Sequence, residues 1–422
     1  MTSLCYNIRT YTYIAKEAVP LKYWAGYVTA AVLGAIAWAM GQLADRYSTL
    51  VDMVYPYVTR TIQDVLAQWS SGVDFCVWQV VLMLLIIGAV AGLVMVIVMH
   101  WNPVRLLGWV LAGVSLLYLG NTLVYGLNYY SGSIADDIRM DVYEYTVDEL
   151  KDAAEYYRDR ANELANKMNR DDKGDLVYSD FDTLAEQAAD GFKVLVYDRS
   201  YSVMGGSNLP VKKLGWAGMY TAAGVNGITV GLTGEAAVNP NIPDVSLPFN
   251  MCREMAHRKA IAAEGDSSFA AFLACQANES LEFQYSAYYM AYRYCHQALT
   301  NVKGSEGQAA ADEVSMGENE KLRHDMDAYR RFFKRNMDEK ASRLANTVND
   351  TYLKISGDKD GVDSTNSVSD LLVSWHYQEV VLPTLTEEDE IFDPKDETQV
   401  DLTTTQVPPE GQDEAEEETE GE

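Results

Sequence analysis

Basic charge is in short supply in this chain: 33 Lys and Arg stand against 61 Asp and Glu. With no basic stripe and no glycine-rich phosphate loop, neither nucleic acid nor a nucleotide is an expected partner. Cysteine is sparse too. The five present, Cys5, Cys76, Cys252, Cys275 and Cys295, show no C-x-x-C spacing, so neither a zinc ribbon nor a redox pair is supported. Sequence alone leaves a Cys275–Cys295 or a Cys252–Cys275 disulfide open, with single buried thiols the expected state. Of the five histidines, His100, His324 and His376 have no partner spacing and read as surface or interface residues. No internal repeat is evident.

What the chain has in plenty is apolar length near its N-terminus. Tyr23–Ala44, Trp78–Met99 and Leu106–Leu127 each approach or exceed the roughly 20 apolar residues that cross a bilayer. Three transmembrane helices are expected. Arg9, Lys16 and Lys22 precede the first, and Arg105 sits in the short loop between the second and third, which puts those flanks on the cytoplasmic side. The segment Asp45–Asp74 and everything after Asn128 then face outward. The net charge of −28 gathers elsewhere: residues 387–422 hold 16 acids and one lysine, a tail that cannot bury a core and reads as disordered.

The divisions expected are therefore a cytoplasmic N-terminus (1–22), a three-helix transmembrane region (23–127), an extracytoplasmic domain (128–385) and an acidic tail (386–422). Between the first two spans, Leu50–Ser70 has amphipathic spacing broken by Pro56 and predicts a short helix lying against the membrane surface. Tyr125–Tyr130 is an aromatic exit suited to the bilayer interface. Helices are predicted at Thr146–Lys167, with Thr146 as a cap, and at Tyr178–Leu195. Lys212–Pro248, punctuated by six glycines, is loop and strand chemistry. Beyond it the pattern is helical over Asn250–Ala263, Ser267–Cys275, Ser280–Thr300, Asn319–Ser356 and Ser367–Val381.

The most informative stretch is Cys252-Arg253-Glu254-Met255-Ala256-His257. In H-E-x-x-H a helix stacks two histidines on one face toward zinc, with the Glu as general base. Here the first histidine is Arg253. A guanidinium has no lone pair and stays charged, so it cannot ligate a metal and would repel one.

YGLNYY, GITVGLTGEAAVNPNIPDVSLPF, REMAHRKAIAAEGDSSFAAFLAC and NDTYLKISGDKDGVDS ahead of DLLVSW, together with the three spans, resemble the DUF3810 family, bacterial membrane proteins grouped with zincin-like peptidases. The resemblance implies a mainly α membrane protein: three N-terminal transmembrane helices plus a mostly helical, zincin-like (α+β) extracytoplasmic domain. Family members typically read H-E-L-A-H followed by an acidic ligand. Carried over to this chain, the general base falls on Glu254, the second ligand on His257 and the third on Asp266, with Arg253 as the substitution in the motif. Two of three ligands have changed, and the remaining pair falls short of the three protein ligands normal for catalytic zinc. Cys252 lies roughly 140° around the helix from His257 and points away; His296 lies on a separate helix.

These substitutions predict that Arg253 reaches Asp266 or Glu254 where a metal would sit, forming a charge-assisted pair. Glu254 is then a vestigial base and His257 and Asp266 are vestigial ligands, with no cofactor expected. Ser267-Ser268 has no base placed by local spacing and is discounted as a nucleophile. The expected function is a binding or scaffold module in the bacterial cell membrane. Its partners would be the lipid bilayer and an extended peptide or envelope protein, the latter bound along Ile228–Val238. The alternative is a membrane-anchored zinc metallopeptidase with an altered ligand set.

Overall fold

The computed structural model describes residues 21–358, 361 and 367–384. The N-terminal flank and the acidic tail lie outside the described residues. Four helices open the chain: α1 (Leu21–Arg46), α2 (Ser48–Ser70), α3 (Val77–Val98) and α4 (Pro103–Val124). Of these, α1, α3 and α4 are long and apolar enough to cross a membrane, within a few residues of the expected runs. The third ends early because Gly126–Tyr130 turns into a short 3-10 helix.

Two of the three pack backbone to backbone. A Cβ on Gly26 of α1 would lie 2.5 Å from the Gly108 carbonyl carbon of α4, the close approach that small residues permit between apolar helices. The Tyr27 hydroxyl donates to the Val104 carbonyl at 2.7 Å. At the turn between α3 and α4, the Asn102 side chain accepts from the Arg105 amide and Pro103 occupies the first turn, a strong helix start.

Pro56 does not break α2, contrary to the sequence pattern; the helix runs unbroken over 23 residues. The missing Pro N–H is tolerated because the helix is braced on both sides of it. The Tyr55 hydroxyl donates to Thr122 of α4 at 2.9 Å, and Gln63 donates from its buried amide to the Gly231 carbonyl at 2.8 Å.

The rest is mainly helical: α5 (Ile134–Ile138), α6 (Val147–Lys167), α7 (Phe181–Tyr197), α8 (Ala217–Ala223), α9 (Leu247–Arg258), α10 (Glu264–Ala277), α11 (Leu281–Asn301), α12 (Ser305–Met316), α13 (Glu320–Asn336), α14 (Glu339–Ser356) and α15 (Ser367–His376). Thr146 and Glu149 form a reciprocal capping box on α6, as the threonine and acids predicted. The glycine-rich segment supplies a three-stranded sheet, β1 (Lys212–Lys213), β2 (Gly227–Val230) and β3 (Glu235–Val238), ordered β1-β3-β2. β2 is antiparallel to β3, with Ile228 opposite Ala237, and β1 is parallel to it.

Helices α6, α7, α9, α10, α11 and α15 enclose one apolar core. At its centre Tyr157 meets Phe272 edge-on at 5.5 Å and donates its hydroxyl to the Leu372 carbonyl at 2.8 Å, so a large ring is buried with its polar tip satisfied. Cys76, Cys252, Cys275 and Cys295 are free, buried thiols. Two expectations on helices are corrected. Asn319–Ser356 is not one helix but two, because Asp338 caps a fresh start by accepting from the Lys340 and Ala341 amides. α12 arises in a segment to which the pattern assigned no helix.

The sheet also clamps α3. Glu235, fully buried, accepts from the Val77 amide at 2.8 Å and the Trp78 amide at 2.9 Å, and pairs with Lys212 at 2.8 Å. A carboxylate there satisfies two orphan donors and complements the helix dipole.

Candidate functional site

The site begins with how α9 ends. Ala260 adopts a left-handed conformation (φ 73°); its amide donates to His257 O at 3.0 Å and the Ile261 amide to Ala256 O at 3.2 Å. This is the Schellman closure, usually made by glycine. The reversal sends the chain straight into α10 and brings Glu264, the first residue of that helix, back over the face of α9.

Two groups from α9 meet it. Arg253 donates from one terminal nitrogen to Glu254 Oε1 at 3.0 Å and from the other to Glu264 Oε2 at 3.3 Å. His257 Nε2 lies 3.8 Å from the same Glu264 oxygen, while Nδ1 donates to the Ile261 carbonyl at 3.0 Å, which orients the ring. The Thr229 hydroxyl, on β2, lies 2.9 Å from Glu254 Oε2 and 3.0 Å from the Glu254 carbonyl. Gly227 gives Glu254 its room: a Cβ there would stand 2.5 Å from the Glu254 Cγ.

Charge balance follows from this geometry. Burial alone would raise the Glu264 carboxyl, but Arg253 and then His257 override it and hold it at about 2. Burial pushes His257 toward neutrality, and its pairing with Glu264 reverses that and raises it. Arg253 is raised as well, because Glu264 and Glu254 outweigh desolvation. The cluster is thus a cation held between two carboxylates, with an imidazole beside them. Glu254 is the most enclosed member, its side chain 2% exposed.

Arg253, Glu254 and His257 come together as the helical spacing predicted. Asp266 does not join them. Its oxygens accept from the Ser133 hydroxyl at 2.9 Å and the Ile134 amide at 3.2 Å, at the start of α5. There it lines a cavity of about 160 Å³ with Asp52, Arg60, Asn128 and Asp137. Burial, before any neighbour, lifts its carboxyl to about 6. The acid facing Arg253 and His257 is Glu264, two residues earlier in the same acidic string, which counting along the string could not separate from Asp266. Cys252 points away, toward the Ala188 carbonyl. His296 pairs with Ser315 at 2.8 Å.

Sequence reasoning also missed an aromatic flank. Tyr125 and Tyr129 meet edge-on at 6.2 Å, and Tyr129 meets Tyr352 of α14 at 6.3 Å. Both Tyr125 and Tyr129 are held neutral well past the usual phenol range, first by burial and further by neighbouring charge that includes Glu264. Only the aromatic exit motif hinted at them; Tyr352 carries no local signal.

The Arg253 guanidinium in this cluster has no lone pair to offer a metal, and among the described residues no three His, Cys, Asp or Glu side chains are grouped to hold one. No curated protein and no solved structure matches the chain. A family described as a protein of unknown function, DUF3810, matches residues 51–373. With most of its length covered, α3 to α14 and the Arg253 cluster included, this chain belongs to the DUF3810 family.

Proposed function

We propose that this is a multi-pass bacterial membrane protein whose domain beyond α4 lies outside the cell and serves as a metal-free, zincin-like binding module. The observation that carries the reading is the Arg253 guanidinium lying 3.0 Å from Glu254 and 3.3 Å from Glu264. In a zincin the cation at such a place is the metal; here a side chain supplies the positive charge and ties α9 to α10 by itself. Without a metal to lower the pKa of water, Glu254 alone generates no strong nucleophile for amide hydrolysis. Binding needs no such chemistry. Among the described residues β2 is an edge strand, paired with β3 alone, and its outer edge suits an extended peptide or envelope-protein segment added as a further strand.

A second reading, a metallopeptidase with an altered ligand set, draws on the convergence of His257 and Glu264. Equilibrium dialysis of the purified full chain against zinc separates the two. Wild type is expected to bind well below one equivalent, and Arg253→His to gain zinc because it sets two imidazoles and Glu264 around one point. A full equivalent in wild type, lost in Glu264→Gln, would establish the second reading instead.

A further inference from the structure

Helix α14 carries an apolar stripe that the described residues leave uncovered. Leu344, Val348, Tyr352 and Ile355 are 66%, 61%, 40% and 55% exposed, and at 3.6 residues per turn they fall within a sector of about 80°. Leu353, on the opposite side, is buried. The polar flank is closed by two pairs along the helix, Arg343 with Glu339 at 3.2 Å and Lys354 with Asp350 at 2.9 Å. A helix with one face docked on its own domain and the other apolar and bare calls for a second apolar surface.

Both ends of α14 are fastened to the same-side ends of two apolar spans. At its N-terminus the Asp338 amide donates to Ala222 of α8 at 2.8 Å. Through Tyr220, α8 in turn holds Gln79, in the first turn of α3, at 3.3 Å; Gln79 also accepts from the Gly215 amide at 3.0 Å. At the other end, Tyr118 and Asn121 in the last turns of α4 donate to the Ile355 carbonyl and the Tyr352 hydroxyl, each at 3.4 Å. Since α3 and α4 are of equal length and joined by a short turn at their far ends, the first turn of α3 and the last turns of α4 stand at one level when both cross the bilayer. A helix of about 27 Å strung between them runs along that level. Lys334, Arg335 and Lys340 stand exposed at the α13–α14 corner, where anionic headgroups would meet them.

We infer that α14 is an interfacial helix, its Leu344–Val348–Tyr352–Ile355 stripe sunk into the acyl-headgroup boundary of the bilayer. Rings and aliphatic chains on one face with charge on the flank are the pattern of a helix lying in the membrane plane. The same helix contributes Tyr352 to the aromatic flank of the Arg253 cluster, so the membrane surface forms one wall of that approach. This inference rests on α1, α3 and α4 spanning the bilayer, and its test is built to tell the two apart.

Spin labels are placed one at a time on full-length protein carrying Cys5→Ser, the other four cysteines being buried. The sites are Val348→Cys on the stripe, Asn346→Cys on the far side of α14 and Leu85→Cys in the middle of α3. The proteins are reconstituted in phosphatidylcholine–phosphatidylglycerol vesicles, and relaxation by oxygen, which partitions into lipid, is compared with relaxation by a water-soluble nickel chelate. The label at 348 is expected to fall between those at 346 and 85, with an oxygen-to-nickel ratio severalfold above that at 346. A nickel-accessible label at 348 beside a lipid-protected label at 85 would overturn the interfacial helix while leaving the spans intact. Protection of 348 from both reagents would mean that protein covers the stripe, and would overturn it too. A nickel-accessible label at 85 would defeat the spanning reading and this inference with it.

Discussion

At the Arg253 cluster one guanidinium serves two carboxylates, so its removal leaves both buried without a cation. Breaking such a pair by deleting one member typically costs about 3–5 kcal/mol. Arg253→Met, close in length and uncharged, is expected to lower stability by that amount, read from thermal unfolding in one detergent and salt. A loss under 1 kcal/mol would mean that the pair is not a structural tie. Glu264 adds a pH signature. Its folded pKa of about 2 lies below the free value of 4.5, so between these the unfolded chain binds more protons and stability falls as pH drops from about 4.5 toward 2. Asp266 runs the other way: at about 6 against 3.8 its folded form holds the proton longer, and its contribution declines as pH rises from about 4 to 6. Glu264→Gln should flatten the first slope and Asp266→Asn the second. If the two variants have identical profiles, the assignment of these acids to separate environments fails.

Among the elements, the turn after α9 and strand β2 set the site's shape. Ala260→Gly should stabilise by about 0.5–1 kcal/mol, the relief of a left-handed alanine partly offset by a freer unfolded chain; a drop in melting temperature would contradict the Schellman geometry. Gly227→Ala should cost about 1–3 kcal/mol by forcing Glu254 and β2 apart, and unchanged stability would mean that the contact is slack. Much of this level could be read from sequence, because the signals are local: the Thr146–Glu149 box, the apolar spans, the glycine punctuation of the sheet, the four-residue step from Arg253 to His257. Other features could not. Pro56 reads as a break, yet bonds to Thr122 and Gly231, distant in sequence, hold α2 together. The cap at Asp338 was legible in its residue type but was masked by helical patterning on both sides. Glu264 displaces Asp266 because a chain reversal at Ala260, an unusual residue for the role, decides which acid returns to α9.

For the whole molecule, α2 and the domain are joined by Gln63 to Gly231, by Arg60 to the Lys259 carbonyl at 3.1 Å, and by Glu235 to the start of α3, so they occupy one side of any membrane the three apolar helices cross. In the proposed topology that side is the exterior, as the basic flank and Arg105 suggest. A membrane-impermeant maleimide applied to intact cells carrying the Cys5→Ser chain should therefore label Ser305→Cys and spare His100→Cys; the opposite pattern would invert the topology. The central claim, that Arg253 stands where a metal would be, is tested most directly by the melting temperature of the wild-type chain across zinc and chelator concentrations. A ligand that binds only the folded state stabilises it by RT ln(1 + [L]/Kd), about 2.7 kcal/mol at one hundred times Kd. Neither micromolar zinc nor excess chelator is expected to move the melting temperature. A rise that grows with zinc and disappears in chelator, absent from Glu264→Gln, would contradict the claim.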